Sequence, residues 1–180
     1  MPMSDPSHRP FVLQQLIGAA WGRDRIRSAV DAGTGFGGWQ AFAGPWWPNC
    51  TWTAVEIHEP YRDRFLYDFR YPGGVHIADL RDLDPYPQAD VWFLGDVLEH
   101  MSAADAVKVW EKAREAAWRV VLGIPIRDYP QGEWGGNPHE AHVATWYTET
   151  VLRDLPGIYA HQANQDTGAF IAAGALELGA

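Results

Sequence analysis

Short apolar runs alternate with stretches of helical spacing along the chain. Val12, Leu13, Leu16, Ile17 and Ala20 repeat at the helical period, which predicts an amphipathic helix over 11–21. Residues 27–31 read as a buried strand entering a glycine-rich turn, and a short helix is expected from Gly38 until Gly44-Pro45 stops it. Strands are predicted at 51–57, at 75–78 after Gly73-Gly74, and at 91–95, with a helix over 60–69. Ser102, three residues before Asp105, has the form of a capping box. The helix it opens carries Ala103, Ala106, Val107, Trp110, Ala113 and Ala117 on one stripe, and Lys108, Glu111, Lys112 and Glu115 on its other side. A fifth strand at 120–124 ends at Pro125; a short helix at 148–155 ends at Pro156-Gly157; runs at 158–162 and 169–173 are close enough to pair antiparallel. Strands alternating with helices predict an α/β sheet covered on both faces.

Composition narrows the classes. A chain of 180 residues with 47% hydrophobic and 21% charged residues suits one globular domain, here 1–180, with an N-terminal helical segment at 1–25. Ten tryptophans imply an aromatic core or an aromatic-lined pocket, and core is the simpler reading. The single Cys50 excludes an internal disulfide framework and any cysteine-cluster metal site, as fits a reducing cytoplasmic compartment. Residues 1–10 lack the apolar centre of a signal peptide, and no run approaches the roughly 18 apolar residues of a membrane span, so a cytoplasmic protein without membrane association is expected. Net charge is −9 with no basic stripe, and Arg23, Arg25 and Arg27 read as solvated surface around Asp24, which argues against a nucleic-acid partner.

The segment Asp31-Ala32-Gly33-Thr34-Gly35-Phe36-Gly37-Gly38 carries the most chemistry. It lies where a buried strand hands over to a helix, so backbone amides converge outside the carboxyl edge of the sheet. Glycines belong there because a Cβ would clash with a ligand on the backbone or forbid positive φ. Gly33, Gly35 and Gly38 satisfy the dinucleotide pattern GxGxxG, with Glu56 as ribose acid. Asp31, Gly33, Gly35 and Gly37 equally satisfy DxGxGxG. A carboxylate at this turn repels a pyrophosphate but suits a ligand with an ammonium and a sulfonium. A tight glycine turn without a ligand is the lesser alternative for the motif by itself. Glu56, ending the second strand, suits the two hydroxyls of a ribose and excludes a 2′-phosphate. Asp79, ending the third, can meet an adenine amino group, stay solvated, or cap the next turn.

The chain resembles the class I S-adenosylmethionine-dependent methyltransferases, small-molecule type, along nearly all its length. The resemblance rests on the Asp31–Gly37 turn, the Glu56 strand end, the Asp79-Leu80 step and Asp96-Val97-Leu98-Glu99-His100, in that order. It implies a Rossmann-like, doubly wound sheet of seven strands in the order 3-2-1-4-5-7-6, the last strand antiparallel. It also implies S-adenosylmethionine as cofactor, with Gly33, Thr34, Gly35, Phe36 and Gly37 at the methionine part and Glu56 and Ile57 at the ribose. Asp79 and Leu80 would border the adenine, and Asp96, Val97 and Leu98 would form the wall between cofactor and acceptor. The early helix stop at Gly44-Pro45, followed by Trp46-Trp47-Pro48, departs from the family pattern.

Methyl transfer asks the protein to align the nucleophile and exclude water, and to supply a base only where the acceptor is poorly ionised. Candidate bases are His100, Glu140 and His142, with His139 beside them. Residues 127–147 form a long loop or lid over the acceptor side, in which Tyr129, Trp134, Trp146 and Tyr147 either line a pocket or simply pack. His139-Glu140-Ala141-His142 lacks the HExxH spacing and a third ligand, so no metal is expected. A small-molecule acceptor is expected, since the chain has neither an Asp/Asn-Pro-Pro-aromatic motif after strand four nor a Pro-Cys nucleophile. Two other classes stay open: an NAD-dependent oxidoreductase, for which 180 residues leave little room for a substrate domain, and a catalytically silent S-adenosylmethionine-binding or interaction module.

Overall fold

The computed structural model describes residues 5–179; the first four residues of the expected N-terminal segment, and Ala180, lie outside the described residues. Seven strands, β1 (Ser28–Ala32), β2 (Thr51–Glu56), β3 (Val75–Ile77), β4 (Ala89–Gly95), β5 (Ala117–Pro125), β6 (Ile158–Ala163) and β7 (Thr167–Ala173), form one sheet. Their order is β3-β2-β1-β4-β5-β7-β6. Neighbours from β3 to β5 pair parallel, and β7 runs antiparallel to both β5 and β6, as the sequence predicts. The order reverses between β1 and β4, so their carboxyl ends open a crevice at the switch point.

Side-chain alternation sorts the sheet into two apolar layers. Trp92 and Leu94 of β4 join Val30, Val120 and Leu122 on one face, under helices α5 (Ala103–Glu115) and α6 (Thr148–Asp154). Val91 and Phe93 join Ala29, Val121 and Ile171 on the other, under α1 (Arg9–Ala19), α2 (Gly38–Ala43), α3 (Pro60–Arg64) and α4 (Tyr67–Arg70). Every position of β4 is buried, as a central parallel strand requires. Most tryptophans are core. Trp39, Trp47, Trp52, Trp92, Trp110, Trp118 and Trp146 are buried, and Trp39 and Trp52 stack on Phe93 with centroids 4.8 and 5.6 Å away. Among the described residues no helix is long and apolar enough to cross a membrane.

Three local expectations need correction. The helix expected over 60–69 is two short helices, α3 and α4, because Leu66 between them takes a left-handed φ of 54°. In α5 the buried stripe is Ala106, Val109, Trp110 and Ala113; Ala103 in the first turn is exposed, and Ala117 has left the helix to pair with Ala89 in the sheet. The Ser102–Asp105 cap forms, with the Asp105 N–H donating to Ser102 Oγ at 3.1 Å. The Asp105 carboxylate accepts from the Ser102 hydroxyl rather than from its backbone N–H.

Helix α1 ends before the predicted Trp21. The Gly22 N–H reaches Ile17 O at 3.1 Å and the Trp21 N–H reaches Gly18 O at 3.2 Å, the double closure of a Schellman motif. Its left-handed position, normally glycine, is held by Trp21 at φ 55°, with the indole 92% exposed. A Cβ there is strained and the ring recovers nothing by burial. Trp21→Gly is therefore expected to raise the unfolding free energy by about 1 kcal/mol, read as a higher urea midpoint at unchanged m-value.

Candidate active site

A cleft of about 410 Å³ opens at the switch point, within the size range of small-ligand sites. Its lining includes Gly33, Gly35, Glu56, Ile57, Asp79 and Leu80, with Asp96, Val97, Glu99, His100, Tyr129, His139, Glu140 and His142. Residues drawn from four strand ends and the long loop are thus brought to one cavity.

The glycine turn is built for close approach. Gly33, Gly35 and Gly37 have φ of 64°, 49° and 71°, which L side chains rarely adopt. A Cβ on Gly33 would lie 2.1 Å from Val97 Cγ2. The turn is anchored to β2, since the Gly33 N–H donates to Val55 O at 2.9 Å and the Thr34 hydroxyl reaches the same oxygen at 3.2 Å, besides donating to Asp31 O at 2.6 Å. Glu56, 5% exposed, curls back onto the turn: Oε2 accepts the Gly35 N–H and Oε1 the His58 N–H, both at 2.9 Å. Burial raises the Glu56 pKa against these two hydrogen bonds.

Several expected site residues lie behind the cleft wall rather than in it. The Asp31 carboxylate is 2% exposed and accepts from the Tyr71 hydroxyl (2.9 Å) and, more weakly, the Gln40 N–H (3.3 Å). Its side chain thus ties the turn to α2 and Tyr71, and burial lifts its pKa to about 7. Thr34 is buried with its hydroxyl on backbone carbonyls, Leu98 is wholly in the core, and Phe36 packs edge-on against Phe65 at 4.4 Å and Trp134 at 6.3 Å. Trp134 thereby fastens the long loop to the turn, and Trp146 is core.

Three side chains that the sequence does not single out hold the turn from outside the cleft. Tyr67 donates its hydroxyl to Gly35 O, Arg70 donates to Phe36 O (2.7 Å) and Gly37 O (2.9 Å), and Tyr71 holds Asp31. The signal was present, since 67, 70 and 71 share a helix face. Its target was not, because the partners lie more than thirty residues away.

In the long loop, the Glu140 carboxylate accepts from Asn137 Nδ2 (3.2 Å) and the Tyr61 hydroxyl (3.3 Å), so it belongs to a buried network bracing the loop. His100 Nδ1 donates to Ala141 O at 3.1 Å and His142 Nδ1 to Tyr129 O at 2.6 Å, and the two rings meet edge-to-face at 4.9 Å. Burial lowers both histidine pKa values, His142 also through His100, so neutral rings are favoured. Glu99 between them is 1% exposed, and burial, then the nearby Asp96, raises its pKa well above the carboxylate range. Asp79 is paired with Arg81 at 2.9 Å, whose hydrogen bonds hold its pKa down. Asp96 adopts φ 51°, a strained conformation typical of functional positions.

The buried acids set a pH dependence. Asp31 binds its proton more tightly folded than unfolded, so the native state holds extra protons between about pH 3.8 and 7 and stability falls as pH rises through that window. Glu56 and Glu99 act in the same direction. Asp31→Asn is expected to make that fall shallower by a few kcal/mol, seen when urea unfolding is compared at pH 4.5 and 7.5; an unchanged slope would show Asp31 to be ionised throughout.

No family model matches the sequence, and no curated protein matches it. Solved structures do match its fold. The 1,6-didemethyltoxoflavin-N1-methyltransferase of Burkholderia thailandensis, solved with 1,6-didemethyltoxoflavin and S-adenosylhomocysteine, superposes with TM-score 0.69 at 16% identity, over 94% of this chain and 79% of that one. The N-terminal domain of EvdMO1 with S-adenosylhomocysteine bound gives 0.65 at 12% identity, over 95% and 82%. NcsB1, an O-methyltransferase from neocarzinostatin biosynthesis in complex with S-adenosylhomocysteine and 1,4-dihydroxy-2-naphthoic acid, gives 0.62 at 19%, over 94% and 56%. Strand order, the antiparallel β7 and these superpositions together show that the chain has the Rossmann-like fold of the class I S-adenosylmethionine-dependent methyltransferases.

Proposed function

We propose that this protein transfers a methyl group from S-adenosylmethionine to a small-molecule acceptor held in the cleft below the long loop. The observation that carries the reading is the Glu56 carboxylate folded against the Gly35 amide in a cleft that two histidines, favoured as neutral, also line.

The residues present fit that cofactor. Gly33, whose Cβ would run into Val97, lets the turn sit close against the cleft wall, and the Glu56 carboxylate keeps lone pairs beyond its backbone bonds for a ribose hydroxyl. Ile57 and Leu80 give the base apolar walls, and Asp79 borders them. Asp31 contributes by holding the turn against Tyr71 and Gln40, and Thr34, Phe36, Gly37 and Leu98 shape the wall from behind. S-adenosylmethionine supplies a sulfonium-activated methyl. The chain's own part is alignment and exclusion of water. Asp96 and Val97 divide cofactor from acceptor, and His100 and His142 face the acceptor with ring lone pairs available at Nε2. Glu140 braces residues 127–147 as the lid of that side. Small-molecule acceptors accompany two of the structural neighbours, which supports the same class here.

Calorimetry with S-adenosylmethionine, S-adenosylhomocysteine and NAD tests the reading. The first two are expected to bind and NAD not, because the Glu56 carboxylate takes the Gly35 amide that a pyrophosphate would need. NAD binding in their place would point to an oxidoreductase. Glu56→Ala is expected to weaken S-adenosylhomocysteine by roughly 10- to 100-fold, the loss of hydrogen bonds to a charged group. Binding without turnover across a panel of hydroxyl and amine acceptors would favour a silent module.

A further inference from the structure

Glu99, His100 and His142 come together from two parts of the chain, the 3-10 turn Leu98–His100 after β4 and the long loop. One donor atom from each lies within 4.8 Å of the others, and all three residues line the cleft. Two further features separate this group from an ordinary polar cluster. Each imidazole commits Nδ1–H to a backbone carbonyl, Ala141 O or Tyr129 O, which leaves the lone pair on Nε2. That is the outer-shell bond by which metal-binding histidines are held in one tautomer. The Glu99 carboxylate, 1% exposed, accepts no hydrogen bond from any other described residue at either oxygen. Buried carboxyl oxygens without a partner are costly, and a cation bound to them would complete their surroundings.

We infer that Glu99, His100 and His142 form a binding site for a divalent transition-metal ion of the zinc type, on the acceptor side of the cleft. Two imidazoles and one carboxylate are the ligand set of open zinc sites, and imidazole disfavours magnesium and calcium, which take oxygen ligands. Zinc–nitrogen bonds near 2.1 Å put tetrahedral ligands roughly 3.4 Å apart, so the three groups close in slightly on the ion. The site replaces the His139-Glu140-x-His142 cluster weighed from the sequence: Glu140 is engaged with Asn137 and Tyr61, while His139 is exposed and outside the group. The missing ligand was Glu99, invisible as such because it lies more than forty residues from His142.

A three-ligand site keeps a position open toward the cleft. Resting on the methyl-transfer reading above, that position takes the acceptor's oxygen, which names the acceptor class as a hydroxyl compound. Coordination lowers the hydroxyl pKa, so its O–H proton passes to water and the electron pair stays on oxygen.

The test uses the full chain, stripped with a chelator and dialysed. Titration with Zn²⁺ by calorimetry is expected to show one equivalent bound, and Co²⁺ to give a visible ligand-field spectrum that Zn²⁺ abolishes. Glu99→Gln and His142→Ala, each checked for folding by circular dichroism, should each weaken Zn²⁺ by at least 100-fold, whereas His139→Ala should not. No stoichiometric binding by the folded wild type, or equal affinity in Glu99→Gln and His142→Ala, would overturn the site. S-adenosylhomocysteine is titrated into the same metal-free preparation: its binding without Zn²⁺ binding sinks the metal site alone, and the converse sinks the methyl-transfer reading alone.

Discussion

The hydrogen bond from the Gly35 amide to the Glu56 carboxylate is the constraint on which the site depends. It joins the loop leaving β1 to the carboxyl end of β2, two strands that already pair in parallel from Ser28↔Thr51 to Ala32↔Val55. Parallel pairing sets both ends at the same height, and the short reach of a glutamate does the rest. The turn therefore cannot drift from the acid, and the acid cannot rotate into solvent. Tyr67, Arg70 and Tyr71 then take up the turn's carbonyls and Asp31 from the side of α4. The left-handed break at Leu66 starts α4 as a helix separate from α3.

Rigidity on this side contrasts with the construction of the other. That side is loop rather than strand, and its order comes from side chains: Trp134 against Phe36, Asn137 and Tyr61 on Glu140, His142 on Tyr129 O. Backbone bonds from Val143 and Ala144 to Glu99 O, at 2.7 and 3.0 Å, hold the loop to the turn after β4. A buried polar network of this kind is sensitive to any unpaired member, since each lost partner strands a desolvated group.

The role of Asp31 shows how a motif can be read correctly and its reason wrongly. Its carboxylate was expected to face a cationic ligand. In the fold it sits below the turn, holds Tyr71, and at a pKa near 7 is only partly charged at neutral pH. Glu56, by contrast, does line the cleft and already occupies the Gly35 amide.

Local signals in the sequence sufficed for the seven strands and the glycine turn, and the resemblance to a known family implied the order of the strands. Buried strands announce themselves as apolar runs, Gly33, Gly35 and Gly37 mark a backbone no other residue tolerates, and an acid ending the next strand can only meet that turn if the two strands are neighbours. Tertiary structure alone decided which polar groups meet. The pairs Tyr71–Asp31 and Tyr61–Glu140, and the group formed by Glu99, His100 and His142, join residues from separate elements. Periodicity reports which face a side chain takes, and carries nothing about the partner that another segment brings to that face.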